Sequence, residues 1–131
     1  MPEEKSKVFL VEDDLIMRRL YEWAFRLMNH EIETAYDGEE AIRKLDAIEP
    51  TPSLVLLDLI MPKVSGFEVL AHIKASEKLK QVPVIVLTNS AGKEEAERAL
   101  GMGAIMYLIK SDHEPKEVVK TVEAVIAKYA R

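Results

Sequence analysis

The segment Leu54-Val55-Leu56-Leu57-Asp58 joins an unbroken aliphatic run to a single acid. Apolar runs of this length without polar alternation are typical of strands covered on both faces, as in a parallel sheet. Three similar runs occur at Val8–Val11, Val84–Leu87 and Ile105–Ile109. The segment Glu31–Tyr36 is more mixed and is predicted to be a strand at the edge of the sheet.

A helical pattern follows the first apolar run. It spans Leu15 to Met28 and has Asp14 as its predicted N-cap. Trp23 lies on this helix and is predicted to serve packing. Helical spacing also gives the segment one apolar face, which we expect to pack inward, formed by Ile16, Leu20, Ala24 and Leu27.

The other helical patterns begin at polar or proline caps. Asp37 precedes a helix over Glu39 to Ile48, and Ser65 has capping-box spacing ahead of the third helix. A fourth helix covers Glu94 to Leu100, and Pro115 fits the first position of a fifth. Strand and helix thus alternate five times. This alternation predicts a doubly wound α/β fold with helices on both faces of a parallel sheet and right-handed crossovers.

Length, composition and charge narrow the class of protein. The 131 residues predict a single domain over 1–131. The absence of cysteine excludes disulfides, thiolate metal sites and a cysteine nucleophile, and it agrees with a cytoplasmic location. The net charge is −5 and lysine and arginine do not cluster, so no direct binding of nucleic acid is expected. No apolar run approaches the ~20 residues of a membrane helix, so no membrane partner is expected either.

Polar side chains stand at the ends of four predicted strands. Glu12 and Asp13 follow the first strand, Asp58 ends the third, Thr88 the fourth and Lys110 the fifth. The carboxyl ends of parallel strands meet at one edge of the sheet, where ligands of such folds bind. Crowded carboxylates without cysteine or histidine suit a hard cation such as Mg²⁺, which commonly joins carboxylates to a phosphate. The pattern therefore predicts phosphoryl chemistry with a carboxylate nucleophile.

These residues carry a resemblance to a known family. From about Lys7 to Tyr129 the sequence resembles a response-regulator receiver domain, so the domain core is placed at about 7–129. The resemblance implies a flavodoxin-like, CheY-like sheet of five strands in the order 2-1-3-4-5 with five helices. The matching segments, in chain order, are Val11-Glu12-Asp13-Asp14, Asp58-Leu59-Ile60-Met61-Pro62, Leu87-Thr88 and Tyr107-Leu108-Ile109-Lys110.

The resemblance implies a role for each matching residue. Asp58 would be the phosphoacceptor and also a ligand of Mg²⁺. Asp13 would bind the metal directly, Glu12 would act through water, and Ile60 would contribute its backbone carbonyl.

Three further residues would respond to the phosphoryl group. Thr88 would bond to it through its hydroxyl, and Lys110 would pair with its charge. Tyr107 would change rotamer when Thr88 moves, so that Thr88 and Tyr107 form the switch.

The same resemblance implies a switch protein and not a conventional enzyme. A sensor histidine kinase or a phosphotransfer protein would donate the phosphoryl group, with transfer and dephosphorylation catalysed by the domain itself. A downstream protein would read the face made by the fourth helix, the fifth strand and the fifth helix. The domain would be a monomer or a phosphorylation-dependent homodimer, and its start and finish favour a stand-alone regulator.

Two positions depart from the family pattern. Ser111 follows Lys110 where the family usually has a proline behind a cis bond, and Asn89 stands where a small residue is common. A cis bond before a residue other than proline costs ~3 kcal/mol, so the loop after the fifth strand is expected to differ in shape.

Three other functions remain open on the sequence. A haloacid-dehalogenase-like phosphatase also uses an aspartate nucleophile, but it needs a second acid two positions later, where this chain has Ile60. A flavodoxin-like carrier of FMN needs hydroxyls and glycines after the first strand, where Glu12-Asp13-Asp14 would repel a phosphate. The third is a degenerate receiver that acts as a phosphorylation-independent scaffold, which Ser111 keeps open.

Overall fold

A computed structural model describes residues 6–61, 63–89 and 93–129. Strands and helices alternate along the whole of this part of the chain, as predicted. The strands are β1 (Lys7–Val11), β2 (Glu31–Ala35), β3 (Leu54–Asp58), β4 (Val84–Thr88) and β5 (Met106–Ile109). The helices are α1 (Leu15–Leu27), α2 (Gly38–Ala47), α3 (Gly66–Ala75), α4 (Lys93–Gly101) and α5 (Pro115–Tyr129). Among them, no helix is both long and apolar enough to cross a membrane.

The five strands form one parallel sheet in the order β2-β1-β3-β4-β5, which confirms the predicted fold class. Every residue of β3 and β4 is buried, because helices cover both faces of the sheet there. The edge strand β2 keeps only Ala35 buried. This difference in burial explains why β3 and β4 are continuously apolar whereas β2 is mixed.

Two separate hydrophobic layers pack against the sheet, one on each face. Successive side chains of a strand alternate between the faces, so neighbouring residues enter different layers. The α1/α5 layer includes Leu10, Leu56 and Leu108 from the strands, together with residues of α1 and α5. The α2/α3/α4 layer includes Phe9 and Leu57, together with residues of the other three helices. This alternation decides on which side of the sheet each functional residue lies.

The predicted helix caps are present. Asp14 accepts a hydrogen bond from the backbone N–H of Met17 (3.0 Å), and Asp37 caps α2 in the same way. Ser65 and Glu68 form the complete capping box expected at the start of α3. Because such caps satisfy N–H groups that have no partner within the helix, they define where each helix begins.

The predicted inward face of α1 is wrong at every position except Ala24, which is buried. The helix buries Tyr21, Ala24 and Phe25, whereas Ile16 is 71% exposed and Leu27 57% exposed. Trp23 is also 57% exposed, so it does not serve core packing as predicted. Helix α1 carries apolar residues on two stripes, and periodicity alone does not reveal which stripe faces the sheet. The aromatic pair fills the α1/α5 layer and leaves the aliphatic stripe outside.

Replacing Gly66 with Ala is expected to lower the free energy of unfolding by about 2 kcal/mol, on the scale of an overpacked core. A Cβ atom at Gly66 would lie 2.3 Å from the carbonyl oxygen of Asp58 and 2.5 Å from Cα of Leu59. Both neighbours are backbone atoms, so the end of β3 would have to move. Urea unfolding measures this effect, and Gly101→Ala is the matched control because nothing lies within 4 Å of its Cβ. Equal stability of the two variants would contradict the prediction.

Candidate functional site

The residues predicted at the strand ends lie along the carboxyl edge of the sheet. Glu12 follows β1, Asp58 closes β3, and Lys110 follows β5. Glu12 stands two positions after Leu10, Asp58 two after Leu56 and Lys110 two after Leu108, and all three leucines belong to the α1/α5 layer. The alternation of strand side chains therefore places Glu12, Asp58 and Lys110 on the same side of the sheet.

Three acids form a cluster that suits a metal ion. Carboxylate oxygens of Glu12, Asp13 and Asp58 all lie within 4.8 Å of one another. The side chain of Glu12 is fully buried and Asp58 is 4% exposed, whereas Asp13 is exposed. Oxygen ligands without nitrogen or sulfur are those that Mg²⁺ prefers. The residues present thus fit the predicted cation, with Asp13 open toward solvent.

Lys110 reaches the two buried acids. Its Nζ lies 3.0 Å from Oε1 of Glu12 and 3.2 Å from Oδ2 of Asp58, and the lysine side chain is only 16% exposed. Burial acts to lower the pKa of Lys110, but the charges of Asp58 and Glu12 outweigh it and raise the pKa above its ordinary value. Lys110 is therefore held in its charged form between the two carboxylates.

The site disfavours the charged form of Asp58. Burial, followed by the charge of Glu12, raises the pKa of Asp58 from 3.8 to about 7, although Lys110 acts in the opposite direction. The neighbouring carboxylate of Asp13 also raises this pKa. The N–H of Ile60 donates to Oδ1 of Asp58 (3.2 Å) and lowers it. One lysine does not balance the negative charge of the acids, so binding of a further cation would stabilise the cluster.

The two predicted switch residues face the opposite layer. Val84 and Val86 belong to the α2/α3/α4 layer, and Thr88, two positions after Val86, lies on the same side of the sheet. Tyr107 packs against that layer as well. The Thr88 hydroxyl is buried and donates to the carbonyl of Asn89 (3.2 Å). In this state Thr88 therefore bonds to its own loop and not to Asp58. The rotamer change predicted for Tyr107 stays a prediction.

The loop after β5 accommodates serine without moving Lys110 away from the site. Lys110 begins a short 3-10 helix, Lys110–Asp112, and the bond to Ser111 is trans. Lys110 nevertheless contacts both buried acids. Asn89 is exposed at the rim, and it lines a cavity with Lys110, Ser111, Asp14 and Met17. Pro62, part of the quoted motif, lies outside the described residues.

Sequence reasoning missed two residues of α1 near the site. Arg18 donates from its guanidinium to the backbone carbonyl of Glu12 (3.1 Å). Tyr21 is fully buried, and the charges of Glu12, Lys110 and Asp58 all influence its pKa. Arg18 could have been found from helical spacing, because it stands one turn after the cap Asp14. Tyr21 had no local signal, since an isolated tyrosine on an amphipathic helix is ordinary core material.

Comparison with known proteins identifies the family. A family model described as the response regulator receiver domain matches residues 8–123. The probable methanogenesis regulatory protein FilR2 of Methanothrix harundinacea is 40% identical over 117 residues, which cover 82% of this chain and 74% of FilR2. The solved structure of the phosphorylated cyanobacterial phytochrome response regulator RcpA is 35% identical, with a TM-score of 0.84 and 98% of each chain covered. The Mn(2+)-bound form of response regulator Rcp1 is 34% identical, with a TM-score of 0.76, and 92% of this chain and 91% of that chain are covered.

Many of the similar curated proteins are longer. The chain spans about half the length of most curated relatives that it matches, for example 52% of the CpxR homolog of Haemophilus influenzae, to which it is 36% identical. The shared part is the same α/β unit in each comparison, since the match covers nearly the whole of this chain. The chain therefore belongs to the response regulator receiver domains, the phosphoacceptor switches of two-component signalling.

Proposed function

We propose that Asp58 accepts a phosphoryl group in a Mg²⁺-dependent reaction, and that phosphorylation changes the conformation and partner binding of the domain. The donor is a sensor histidine kinase or a phosphotransfer protein. The observation that carries the proposal is the buried cluster in which Lys110 contacts both Glu12 and Asp58 while Asp13 remains exposed beside them.

The proposed reaction moves the phosphoryl group between two side chains. An oxygen of the Asp58 carboxylate attacks phosphorus and forms an acyl phosphate, while the bond from phosphorus to the donor's histidine nitrogen breaks. The donor histidine keeps the electron pair of that bond. In the dephosphorylation step, water attacks phosphorus and the acyl phosphate bond breaks. Inorganic phosphate leaves, and the Asp58 carboxylate is restored.

The residues around Asp58 favour this chemistry in specific ways. A metal held by Asp13, Asp58, the Ile60 carbonyl and, through water, Glu12 would neutralise charge on the phosphoryl oxygens. Lys110, already within 3.2 Å of Asp58, would follow the charge onto the new phosphoryl group. The predicted bond from the Thr88 hydroxyl to a phosphoryl oxygen requires Thr88 to leave the Asn89 carbonyl. That movement would open space for Tyr107 and couple the site to β5.

Two relatives support the chemistry. RcpA was solved in phosphorylated form, and Rcp1 was solved with Mn(2+) bound. Both are at least 34% identical to this chain over more than nine-tenths of its length. Because the chain belongs to the receiver domain family, the phosphatase and flavin-carrier hypotheses have no support.

We propose one receiver domain over 1–131, with its core at about 7–129, that works in the cytoplasm as a monomer or a phosphorylation-dependent homodimer. Its downstream partner would read the face made by α4, β5 and α5. No direct contact with nucleic acid is proposed, because the net charge is −5.

Acetyl phosphate with Mg²⁺ tests the acceptor. We expect intact-protein mass spectrometry to show the addition of one phosphoryl group to the wild type, and none after removal of Mg²⁺ with EDTA. Asp58→Asn is expected to remain unmodified under all conditions. Asp14→Asn is the matched control, because it also removes a charge near the site but keeps an N-cap side chain for α1. Equal labelling of wild type and Asp58→Asn would disprove the proposal.

A further inference from the structure

Three buried polar side-chain atoms lack a hydrogen-bond partner within the described part of the chain. They are Oε1 of Glu12, the hydroxyl of Tyr21 and Nδ1 of His30. The first two are an acceptor and a donor of complementary chemistry. Oε1 of Glu12 lies 3.0 Å from Nζ of Lys110, as an ion pair without a well-directed hydrogen bond. Buried polar atoms of this kind are rare in folded proteins and call for an explanation.

The Glu12 and Tyr21 atoms belong to one region of the molecule. Tyr21 is part of the α1/α5 layer, which also contains Leu10 of β1. Because strand side chains alternate between the two faces, Glu12, two positions after Leu10, lies on the same side of the sheet. Helix α1 begins at Leu15, three residues after Glu12, and helical side chains lean toward the helix N-terminus. The Tyr21 side chain is therefore inclined toward the acidic site. After burial, the charge of Glu12 is the strongest influence on the pKa of Tyr21, which rises to about 12.

The proposed reaction leaves Glu12 in need of a donor. In this structure the side chain of Glu12 is held by Lys110 and by the backbone N–H of Asp14 (3.1 Å). When Lys110 follows the phosphoryl group, the fully buried Glu12 loses its ion pair with Lys110 and would meet the metal only through water. A buried carboxylate that loses a partner pays a large desolvation cost. The hydroxyl of Tyr21 is a donor in this layer that is not committed elsewhere.

We propose that Tyr21 is a positioning residue for Glu12, whose carboxylate accepts a hydrogen bond from the Tyr21 hydroxyl in the metal-bound, phosphorylated state. This inference rests on the proposed function. The hydrogen bond keeps Glu12 oriented toward the metal and replaces the contact that Lys110 gives up. Tyr21 touches no reacting atom, so it acts only through Glu12.

Tyr21→Phe tests the proposal, because it removes the hydroxyl and keeps the ring that fills the core. Two quantities are measured. One is the free energy of unfolding in EDTA, and the other is the binding of Mg²⁺ together with beryllofluoride, a phosphoryl mimic, by calorimetry. We expect the free energy of unfolding of the metal-free protein to be unchanged or higher, since no hydrogen bond of the Tyr21 hydroxyl is lost there. We expect binding to weaken about tenfold, the scale of one hydrogen bond to a charged group.

Tyr36→Phe is the matched control, because it removes the same hydroxyl from a tyrosine that is 53% exposed. The proposal is overturned if Tyr21→Phe binds Mg²⁺ and beryllofluoride within twofold of the control. It is also overturned if metal-free stability and binding fall together, because the hydroxyl would then support packing alone. Failure of the proposed function looks different: the wild type itself would then show no Mg²⁺-dependent binding of beryllofluoride.

Discussion

Asp58→Asn is expected to stabilise the metal-free protein above pH 7, on the order of 2 kcal/mol, while it abolishes phosphorylation. The side chain of Asp58 is buried beside Glu12, and these two effects raise its pKa to about 7. The ionised form of Asp58 therefore destabilises the folded protein. Asparagine keeps the shape but removes the charge, and Lys110 retains its contact with Glu12.

The same pKa gives the effect a defined pH dependence. Between pH 4 and 7 the folded protein holds a proton on Asp58 that the unfolded chain has released, because the pKa of 3.8 rises to about 7 on folding. The contribution of Asp58 to stability is thus full below pH 4, declines as the pH rises, and is lost above pH 7. Urea unfolding in EDTA from pH 5 to 8 measures the difference between wild type and variant.

Asp14→Asn again provides the control, since Asp14 is exposed and its side chain caps α1. We expect its stability relative to the wild type to vary little over the same pH range. If the advantage of Asp58→Asn shrank as the pH rose, the assignment of a raised pKa to Asp58 would be wrong. If the proposed Mg²⁺ binds at the cluster, it would remove the same repulsion and reduce the fall with pH.

Lys110→Met is expected to destabilise the metal-free protein by about 3 to 5 kcal/mol at pH 8, the cost of leaving buried charges without a partner. Lys110 contacts Glu12 and Asp58 at 3.0 and 3.2 Å, and both acids are buried. The loss should shrink toward pH 6, because Asp58 then takes up a proton. Chemical unfolding in EDTA at both pH values measures it.

Lys80→Met is the control for this prediction. Lys80 contacts Glu77 at 3.1 Å, but the two side chains are 41% and 90% exposed. Exposed ion pairs of this kind contribute about 0 to 1 kcal/mol. If both lysine variants lost the same stability, the buried position of Lys110 would have no special importance.

Much of the fold could be predicted because the decisive signals are local. Leu54–Asp58 is apolar throughout because both faces of β3 are covered, and Ser65 marks the start of α3 by its own capping chemistry. The position of the acids at strand ends predicted that they meet at one edge of the sheet, since parallel strands all run in the same direction. The order of strands came from family resemblance, because local patterns do not encode which strands are neighbours.

The site could be predicted only in part. The grouping of Glu12, Asp13 and Asp58 follows from strand ends, but the contact of Lys110 with two acids depends on distances across the sheet. The buried side of α1 was mispredicted because Ile16 and Phe25 lie on two competing apolar stripes. Which stripe faces inward depends on the shape of the layer that receives it.

The separation of the two hydrophobic layers has a consequence for evolution. Glu12, Asp58 and Lys110 adjoin the α1/α5 layer, whereas Thr88 and Tyr107 adjoin the layer on the other side of the sheet. Under the proposed function, substitutions in the first layer would act mainly on the residues that receive and hold the phosphoryl group. Substitutions in the second layer would act mainly on Thr88 and Tyr107, which would transmit its presence to a partner. A single small domain could thus change its phosphoryl lifetime and its downstream partner through largely separate sets of substitutions.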